Sequence, residues 1–319
     1  MMYYIGIDGG GTKTAALLCD EQGNQLCEAI EGATNPTTVS TETIEIRFQR
    51  LLDQLRGSPN INFLHVKTIF VGMSGYSRLT NEDRIIKIFR EATSTKTVIT
   101  ISHDAITALY SGTNGNPGIV NIAGTGSLTF GVNEKGEEKR VGGWGFLLDH
   151  SGSGYGIGLA ALKRLFHESD DGLPLTPLSS LILKHFGVIE PKNLIPLIYD
   201  KERSRENIAS LAPLILDEAT RGNVEANELV DQASADIAES VKTLTPQLFG
   251  EGYQAPVSVV LVGGLMKRKE LFLQRLKERW DTDWQVAEDE PVVGAVIAAK
   301  KEADGDHGLS DFATRLKRG

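Results

Sequence analysis

Cysteine is scarce in this chain, and its scarcity excludes two classes of protein. Among 319 residues, only Cys19 and Cys27 are cysteines. Two thiols are too few for the disulfide framework of a small secreted domain, and no second pair stands at the spacing of a zinc site. We expect both thiols to be buried and inert, in a protein of the reducing cytoplasm.

Long apolar runs are also missing. Mean hydropathy is -0.15, and no stretch approaches the roughly 18 apolar residues of a membrane-spanning helix. The opening MMYYIGIDGGG lacks the basic and apolar segments of a signal peptide and is typical of a buried first strand. We therefore expect no membrane partner.

Positive charge is in deficit. The chain has 33 Lys and Arg against 42 Asp and Glu, which gives a formal net charge of -9. Such a balance argues against nucleic acid or an anionic membrane as the main partner. A phosphorylated or otherwise anionic small molecule is not excluded, because a single pocket can be positive within an acidic protein.

Apolar strand patterns alternate with helical patterns through most of the sequence. Strands separated by helices favour an α/β fold with parallel pairing, and the chain length favours two domains. Buried strands are predicted at 68–75 and 97–101, and further strands at 257–264 and, a short one, near 283–287. Helices are predicted at 41–56, 81–92, 103–110, 153–167, 176–186, 203–221, 223–248 and 292–303.

The domain boundary is predicted in the loop-rich stretch from Gly112 to Gly118. The first domain is then 1–117, and the second is 118–319 with a helical insertion. For the closing helix at 292–303 two placements stay open, one in the second domain and one against the first. The polar tail from Asp304 is expected to fray.

A weak internal repeat links the two halves. Residues 5–23 and 118–136 align without a gap, placing Gly11-Thr12 on Gly124-Thr125 and Thr14 on Ser127. Each segment has the pattern of an apolar hairpin around a small-residue turn. Chance similarity of two glycine-rich hairpins is the alternative, but duplication is favoured because strand length and both turns keep register.

The strongest motif is DGGGTKT at residues 8–14. It lies between two strands, so it is neither a Walker A loop nor a dinucleotide-binding turn. Glycines bring backbone N–H groups close to an anion, and Asp8 at a strand end can hold Mg²⁺ through water. The alternative is a plain hairpin turn. The candidate phosphate ligands are Gly10, Gly11, Thr12, Lys13 and Thr14.

Two more glycine turns follow. Gly124, Thr125 and Gly126 form the repeated turn, which we expect to face the first one across a cleft and grip a nucleoside triphosphate. Gly263 and Gly264 end an apolar strand, where adenine or ribose can lie flat on the backbone. Tight packing between strand and helix is the alternative for the last pair.

Three further groups are candidates for substrate contact. Asp104 opens a helix after a buried strand, where it can accept a proton from a sugar hydroxyl or serve only as a helix cap. The neighbouring His103 most simply satisfies a local hydrogen bond. The glycine-dense stretch 142–155 offers backbone approach and aromatic faces. Asn35 is able to hydrogen-bond a hydroxyl, or to form a turn before proline.

Together these residues resemble the N-acetylglucosamine kinase family. That family belongs with hexokinase, actin and the activator ATPases of benzoyl-CoA reductase and hydroxyacyl-CoA dehydratase. DGGGTKT and IAGTGS resemble its phosphate motifs, LVGG its adenosine motif, and PVVGA (291–295) the start of its closing helix. The resemblance covers nearly the whole chain. It implies two actin-like (ribonuclease H-like) domains, a cleft for Mg-ATP and sugar, domain closure and a homodimer.

The resemblance also implies roles for single residues. Asp104 corresponds to the catalytic aspartate that takes the proton of the sugar 6-hydroxyl, and Asn35 to a sugar-contacting asparagine. The other sugar contacts implied are Thr125 and Ser127 of the TGS motif and Gly143, Trp144 and Gly145 of the GGWG loop.

One departure from the family concerns the sugar. After GGWG the family usually reads Gly-Asp-Glu-Gly-Ser, whereas this chain has Asp149-His150-Ser151-Gly152-Ser153. His150 stands where an aspartate usually contacts the sugar, with Asp149 one position earlier as a substitute. The family resemblance makes N-acetylglucosamine the first candidate substrate, and this departure makes N-acetylmuramic acid or glucosamine the alternative.

Two other functions stay open. A non-catalytic sugar sensor would bind without turnover, but Asp8, Lys13 and Asp104 are all present and no DNA-binding segment is seen. A protein-coupled ATPase of the activator type needs cysteines for an iron–sulfur cluster, and Cys19 and Cys27 lie in the first hairpin region instead of the central stretch.

Overall fold

The structure is a computed structural model in which residues 1–59, 61–149, 152–253 and 255–318 are described. In chain order its elements are β1 (Tyr3–Gly9), β2 (Lys13–Asp20), β3 (Gln25–Gly32), α1 (Thr41–Arg56), β4 (Val66–Met73), α2 (Glu82–Ala92), β5 (Val98–His103), α3 (Asp104–Thr113), β6 (Gly118–Ala123), β7 (Ser127–Val132), β8 (Glu138–Gly142), α4 (Gly154–Asp170), α5 (Pro177–His185), α6 (Ile195–Ile198), α7 (Ser204–Ala209), α8 (Leu211–Thr220), α9 (Val224–Phe249), β9 (Ser258–Val262), α10 (Lys269–Arg279), β10 (Asp283–Val286), α11 (Pro291–Asp304) and α12 (Leu309–Leu316).

These elements divide into two compact units. Unit 1 comprises Met1–Pro117 and Ala287–Gly319, and unit 2 comprises Gly118–Val286. Each is built on a five-stranded mixed sheet flanked by helices, so the predicted α/β class is confirmed. Of the two placements left open for the closing helix, α11 here groups with unit 1.

The two sheets share one topology. Strand order is β3-β2-β1-β4-β5 in unit 1 and β8-β7-β6-β9-β10 in unit 2 when read from the equivalent edge. In each, three antiparallel strands are followed by two parallel ones. This repetition supports duplication as the origin of the weak sequence repeat.

The ungapped alignment of the repeat holds on only one side of the turn. Gly9 pairs with Thr14 across four intervening residues, whereas Ala123 pairs with Ser127 across three. Thr14 and Ser127 are therefore equivalent, as aligned, but the strand before the turn is displaced by one residue. The extra residue lies in the first turn.

Unit 1 buries both faces of its sheet. On one face α1 and α2 contribute Phe48, Leu52 and Phe89 to the core. On the other, α11 crosses β1 at Gly6 and α3 at Gly294. A Cβ at Gly6 would collide with the backbone of Val296, and one at Gly294 with the carbonyl of Thr107. These close approaches fix α3 above the carboxyl end of β1.

Two expectations about the second half of the chain were wrong: a single helix at 203–221 and a frayed tail. The helix predicted at 203–221 is broken into α7 and α8 at Ser210, where Pro213 lacks the N–H that would bond to Ala209. The tail does not fray throughout, because α12 buries Leu309, Phe312 and Leu316. Among the described residues, no helix is both long and apolar enough to cross a bilayer.

Candidate functional site

The first glycine turn in unit 1 is closed by its own backbone. Gly10 N–H donates to the carbonyl of Lys13 at 2.9 Å, and Thr34 N–H donates to the carbonyl of Gly10 at 3.2 Å. A Cβ at Gly11 would lie 4.0 Å from Nδ2 of Asn35. The turn therefore lies beside the predicted sugar-contacting asparagine, with Thr12 exposed at its tip.

Thr14 is placed differently from its neighbours. Its side chain is fully buried, and its hydroxyl lies 2.9 Å from both the carbonyl oxygen of Gly32 and the hydroxyl of Thr34. The structure gives this hydroxyl a role in holding the turn against β3. The hydroxyl is thus directed into the protein and away from a phosphate at the turn.

Lys13 is paired with an acidic side chain from the distant end of unit 1. Its Nζ lies 2.9 Å from Oε2 of Glu290, and both side chains are more than half exposed. The hydrogen bond to Glu290 raises the pKa of Lys13. The cation thus stands at the turn fully charged, with a carboxylate partner.

Asp8 is a largely buried carboxylate near the end of β1. Burial raises its pKa to about 7, opposed by a hydrogen bond from Thr107 and reinforced by the negative charge of Asp104. The Thr107 hydroxyl lies 2.9 Å from Oδ1 of Asp8 and 2.7 Å from the backbone oxygen of Asp104. Perturbation of this kind, where two carboxylates meet, is common at functional sites.

Asp104 opens α3 directly after β5. Burial raises the pKa of its carboxyl, whereas hydrogen bonding by the Ser74 side chain and the nearby charge of His103 lower it. Ser74 follows β4, and its N–H donates to the carbonyl of Gly9 at 2.8 Å. His103 caps no N–H with its side chain, and its ring meets Tyr76 edge-on at 5.0 Å.

Both the oxygen and the nitrogen of the Asn35 side-chain amide form hydrogen bonds. Its Oδ1 accepts from the N–H and hydroxyl of Thr37 at 2.8 and 2.7 Å, and its Nδ2 donates to Oγ of Ser74 at 3.2 Å. Unit 1 thus brings Asp8, Gly11, Asn35 and Asp104 together at the carboxyl ends of the parallel strands β1, β4 and β5. Ligands of α/β sheets usually bind at this edge.

The second glycine turn, in unit 2, is tied to the start of α4. Gly124 N–H donates to the carbonyl of Gly126 at 3.0 Å. Gly154 and Tyr155, in the first turn of α4, donate to the carbonyls of Gly124 and Thr125 at 2.7 and 3.1 Å. The turn and the helix N-terminus are therefore fixed as one body.

A cavity of about 610 Å³ adjoins this turn, a size typical of small-molecule sites. Its walls combine small and apolar residues of α8 with the Asp217–Arg268 ion pair, whose atoms lie 2.5 Å apart. The lining residues are Gly124, Thr125, Gly154, Ala209, Ala212, Pro213, Leu216, Asp217, Gly264, Leu265, Lys267 and Arg268. The predicted phosphate turn and adenosine motif thus share one cavity.

The two glycines of the third motif have different roles. Gly263 has a φ of +105°, and a Cβ there would collide with the carbonyl of Ala123. Gly264 lines the cavity, and a Cβ there would meet nothing within 4 Å. Close packing therefore accounts for Gly263, whereas Gly264 borders open space in the cavity.

The GGWG loop is closed by Asp149. Its two carboxylate oxygens accept from the N–H groups of Trp144 and Gly145 at 2.8 and 3.0 Å, an arrangement that needs the positive φ of Gly143 and Gly145. The exposed ring of Trp144 stacks 4.2 Å under the guanidinium of Arg140. Asp149 is thus committed to the loop, and His150 lies outside the described residues.

Ser127 lines a small cavity of about 10 Å³ with Gly142, Gly152 and Asp236. Oδ2 of Asp236 is buried without a hydrogen-bond partner among the described residues. Such an atom normally holds a water or a ligand group. Asp236 lies in α9, distant in sequence from every motif discussed above.

The described residues contain no cluster of three or more His, Cys, Asp or Glu side chains that could hold a metal. Mg²⁺ in phosphoryl-transfer sites is bound by one or two carboxylates together with phosphates and waters. A single buried carboxylate, Asp8, beside a phosphate-type turn fits that donor set.

Sequence reasoning missed three residues that complete the site in unit 1. Ser74 accepts a hydrogen bond from Asn35, Thr107 donates one to Asp8, and Glu290 pairs with Lys13. A signal existed only for Ser74, which directly follows a buried parallel strand just as Asp104 does. Glu290 is separated from Lys13 by 277 positions, so no local pattern links them.

Known proteins match this chain along nearly its full length. Residues 5–299 match the BadF/BadG/BcrA/BcrD ATPase family. An N-acetyl-D-glucosamine kinase of Dictyostelium discoideum is 30% identical over 311 residues, which cover 93% of this chain and 97% of that protein. An N-acetylmuramic acid/N-acetylglucosamine kinase of Clostridium acetobutylicum is 27% identical over 95% of this chain and 100% of its own. A solved structure of a candidate N-acetylglucosamine kinase from Chromobacterium violaceum has a TM-score of 0.70 at 25% identity, covering 93% of this chain and 98% of that one.

Proposed function

The chain belongs to the BadF/BadG/BcrA/BcrD ATPase family, and within it we propose that the protein is an ATP-dependent amino-sugar kinase. It transfers the γ-phosphate of ATP to the 6-hydroxyl of the sugar, and N-acetylglucosamine is the first candidate. The relatives named as sugar kinases, matched over almost the whole chain, support this assignment. They confirm the predicted resemblance.

The observation that carries the proposal is the position of Asp104. This half-buried carboxylate, whose pKa is raised by burial, shares one edge of the sheet with the phosphate turn and with Asn35. A base, a hydroxyl-binding amide and an anion-binding turn are the three parts that transfer of phosphate to an alcohol requires.

The chemistry divides among these parts. Asp104 accepts the proton of the attacking hydroxyl, which contributes about 10²–10⁴-fold. Lys13 and the N–H groups of the turn stabilise charge that develops on the phosphoryl oxygens. Mg²⁺, held at Asp8 through water, would neutralise phosphate charge when bound.

Unit 2 supplies the nucleotide pocket in this proposal. The cavity of about 610 Å³ has room for a nucleoside, and Gly264 lets a planar base approach the backbone. Gly124, Thr125 and Gly126 offer N–H groups and a hydroxyl to phosphate. Gly143, Trp144, Gly145 and Ser127 remain the proposed sugar contacts.

The test is ADP release by the purified protein with Mg-ATP. Sugars to compare are N-acetylglucosamine, glucosamine, N-acetylmuramic acid, N-acetylmannosamine and glucose, with a blank that contains no sugar. Turnover that depends on one or two sugars would support the kinase and identify its substrate. Equal turnover with and without sugar, or none at all, would refute it.

Asp104→Asn provides the matching variant. We expect it to bind nucleotide normally and to lose at least about a hundredfold in kcat. Asp83→Asn is the control, because Asp83 is also an aspartate in the first turn of a helix, α2, but lies outside the site. A kcat of D104N close to that of D83N would show that Asp104 is not the base.

The alternative sugars remain within the same proposal. The relative from Clostridium is named for both N-acetylmuramic acid and N-acetylglucosamine. Asp149 remains the proposed substitute for the usual aspartate, because each of its oxygens accepts one N–H of the loop and retains a further lone pair. A homodimer and a cytoplasmic location are proposed from the family resemblance alone. Sedimentation of the purified protein tests the first.

The family match leaves a protein-coupled ATPase as the second candidate. Its iron–sulfur cluster would need accessible thiols. Cys19 is buried in β2, where burial raises its pKa, whereas Cys27 in β3 is half-exposed, so the expectation that both thiols are buried was wrong for Cys27. Iron analysis of protein purified without oxygen decides the matter. Stoichiometric iron, with sugar-independent ATP hydrolysis, would favour this candidate.

A further inference from the structure

Arg205 is an arginine of unit 2 that no motif of the sequence singled out. It lies in α7 (Ser204–Ala209), and its side chain is exposed. A Cβ at Gly126 would lie 3.8 Å from Nη2 of Arg205. The guanidinium carbon also lies 5.9 Å from the centre of the Phe146 ring, within the range of a cation–π contact. The guanidinium is therefore next to both the second glycine turn and the GGWG loop.

The aromatic ring that Arg205 contacts is itself linked to the turn. Phe146 meets Tyr155 edge-on, with ring centres 5.0 Å apart, and Tyr155 N–H donates to the carbonyl of Thr125 at 3.1 Å. The arginine, the aromatic pair and the turn thus form one connected group within unit 2. An arginine held in this way loses less side-chain freedom on binding a ligand than one that is free in solvent.

The positive charge of Arg205 is not neutralised. Among the residues that the structure describes, its guanidinium has no carboxylate partner and no hydrogen bond, and its contact is with the Phe146 ring. Other arginines of unit 2 are paired, as Arg164 is with Glu228 and Arg268 with Asp217. A planar guanidinium has five N–H donors in a geometry that suits phosphate oxygens. Arg205 can therefore bind an anionic ligand at the turn without first giving up an ion pair.

The second glycine turn borders two pockets. Gly124 and Thr125 line the cavity of about 610 Å³ that we propose for the nucleoside. Gly126 lines a second pocket, of about 170 Å³, whose walls include Phe146 and Asp149 of the GGWG loop. Because that loop is the proposed sugar contact, a phosphate that passes from nucleotide to sugar must cross the turn near Gly126.

The helix α7 runs beside the same turn. Ala209 lines the nucleoside cavity, and Arg205 lies one helical turn before it on the same face, since residues at i and i+4 share a face. The contacts of Arg205 are with Gly126 and Phe146, which line the second pocket. Its guanidinium is therefore placed for the end of a triphosphate that is furthest from the base.

We propose that Arg205 binds the terminal phosphate of the nucleotide and stabilises the negative charge on it during transfer. This inference rests on the proposed function and adds a catalytic residue to it. In the transfer, the sugar oxygen forms a bond to the γ-phosphorus while the bond from that phosphorus to the β–γ bridging oxygen breaks. The hydroxyl proton passes to Asp104, and ADP leaves with the electron pair of the broken bond. Arg205 forms no covalent bond and moves no proton.

The first test is kinetic. Arg205→Ala should lower kcat about a hundredfold, because it removes donors to charge that develops in the transition state. Arg205→Lys keeps the charge but loses the planar fork, so it should recover only part of the rate. Arg203→Ala is the control, since Arg203 is also exposed but lies just before α7 and two residues away, on a different face. A kcat in Arg205→Ala equal to that in Arg203→Ala would overturn the proposal.

Nucleotide binding tests the same contact without turnover. Titration calorimetry in Mg²⁺ and without sugar compares ADP with the non-hydrolysable β,γ-imido analogue of ATP. Arg205→Ala should raise the Kd of the analogue about tenfold and that of ADP by less than about twofold, because the terminal phosphate is present in the analogue alone. Equal weakening of both nucleotides would place Arg205 at an inner phosphate and would also overturn the proposal.

A carboxylate on the sugar is the other anion that could meet Arg205. N-acetylmuramic acid has such a group, and N-acetylglucosamine does not. If Arg205 served that carboxylate, Arg205→Ala would raise the KM for N-acetylmuramic acid and leave kcat with N-acetylglucosamine unchanged, which contradicts the phosphate role. Lys163→Ala removes a different positive charge from the lining of the second pocket. An equal loss of preference for the ATP analogue in that variant would show that the general charge of the pocket is responsible, and not a contact with Arg205.

These measurements separate this inference from the proposed function. A protein that phosphorylates no sugar, but loses its preference for the ATP analogue in Arg205→Ala, would refute only the kinase. A sugar kinase whose Arg205→Ala variant keeps both its kcat and that preference would retain the proposed function and refute the role of Arg205.

Discussion

The Thr107 hydroxyl lies 2.9 Å from Oδ1 of Asp8, across 99 positions of sequence. The hydroxyl oxygen of Thr107 also lies 2.7 Å from the backbone carbonyl oxygen of Asp104. One side chain of α3 thus joins the proposed metal-binding carboxylate to the first residue of the helix that carries the proposed base. The close approach of α11 at Gly294 holds that part of α3 in place.

Thr107→Val should therefore impair the site without unfolding it. Burial raises the pKa of Asp8 to about 7, and the Thr107 hydrogen bond opposes the rise. Removing a donor to the charged form raises the pKa further, so less of the carboxylate is ionised near pH 7. We expect kcat/KM for Mg-ATP to fall about tenfold there and to recover at more alkaline pH.

The control for this change is Thr113→Val. Thr113 is buried on the same helix, but its hydroxyl bonds to the carbonyl of Leu109. Its variant should keep the pH profile of wild type. Equal profiles for T107V and T113V would mean that the Thr107 hydroxyl has no influence on Asp8.

The carboxylate of Glu290 should weaken nucleotide binding, because it forms an ion pair with Lys13 at the phosphate turn and so competes with phosphate for that cation. Glu290→Gln removes the charge and leaves Lys13 available to phosphate. Exposed ion pairs contribute about 0.2–1 kcal/mol, so the Kd for ATP should fall by about two- to fivefold, as titration calorimetry can measure. Glu288→Gln, an exposed acid in the same segment, controls for the change in net charge, and an equal gain in that variant would contradict a specific pair.

Substitution should lower the stability of the fold at Gly263 and should prevent nucleotide binding at Gly264. A side chain at Gly263 collides with Ala123 in a backbone conformation that favours glycine, so Gly263→Ala should lower the free energy of unfolding by more than about 1 kcal/mol. Gly264→Leu should leave stability unchanged and fill the cavity, abolishing nucleotide binding. Thermal unfolding and nucleotide titration distinguish the two. Normal ATP binding by Gly264→Leu would place the nucleotide elsewhere.

Local sequence signals predicted much of this structure. The helix predicted at 41–56 matches α1 at both ends, because its apolar positions keep helical spacing up to a stop at Gly57. The first glycine turn stood out because a plain hairpin rarely needs three glycines between an aspartate and a lysine. Patterns of this kind depend on neighbours in sequence and need no knowledge of the tertiary structure.

The parts that sequence missed depend on long-range contacts. The hydrogen bonds from Asn35 to Ser74 and from Thr107 to Asp8 each join segments that are far apart in the sequence, and no local pattern links either pair. The tail was judged polar by composition, although Leu309, Phe312, Ala313 and Leu316 have helical spacing. Its partner is Tyr4 at the other end of the chain, whose ring meets that of Phe312 edge-on at 5.6 Å.

Asp304, at the end of α11, should make the stability of unit 1 depend on pH. Burial alone would raise the pKa of its carboxyl, but hydrogen bonds from Lys300, Lys67 and Tyr4 outweigh burial and hold the pKa well below its usual range. A group whose pKa is lower in the folded state stabilises the fold above the unfolded pKa, about 4. That contribution is lost as the pH falls through the folded pKa.

Asp304→Asn should therefore destabilise unit 1 by about 1–3 kcal/mol at neutral pH, and the difference from wild type should shrink in acid. Urea unfolding followed by circular dichroism measures the change. Fluorescence provides an internal control, because all three tryptophans, Trp144, Trp280 and Trp284, lie in unit 2.

Asp306→Asn is the matched control variant, since Asp306 is 80% exposed beside Lys301 and the loss of its charge should change the free energy of unfolding little. A deficit for D304N that stayed constant into acid would show that lost packing, and not the charge of Asp304, accounts for its effect.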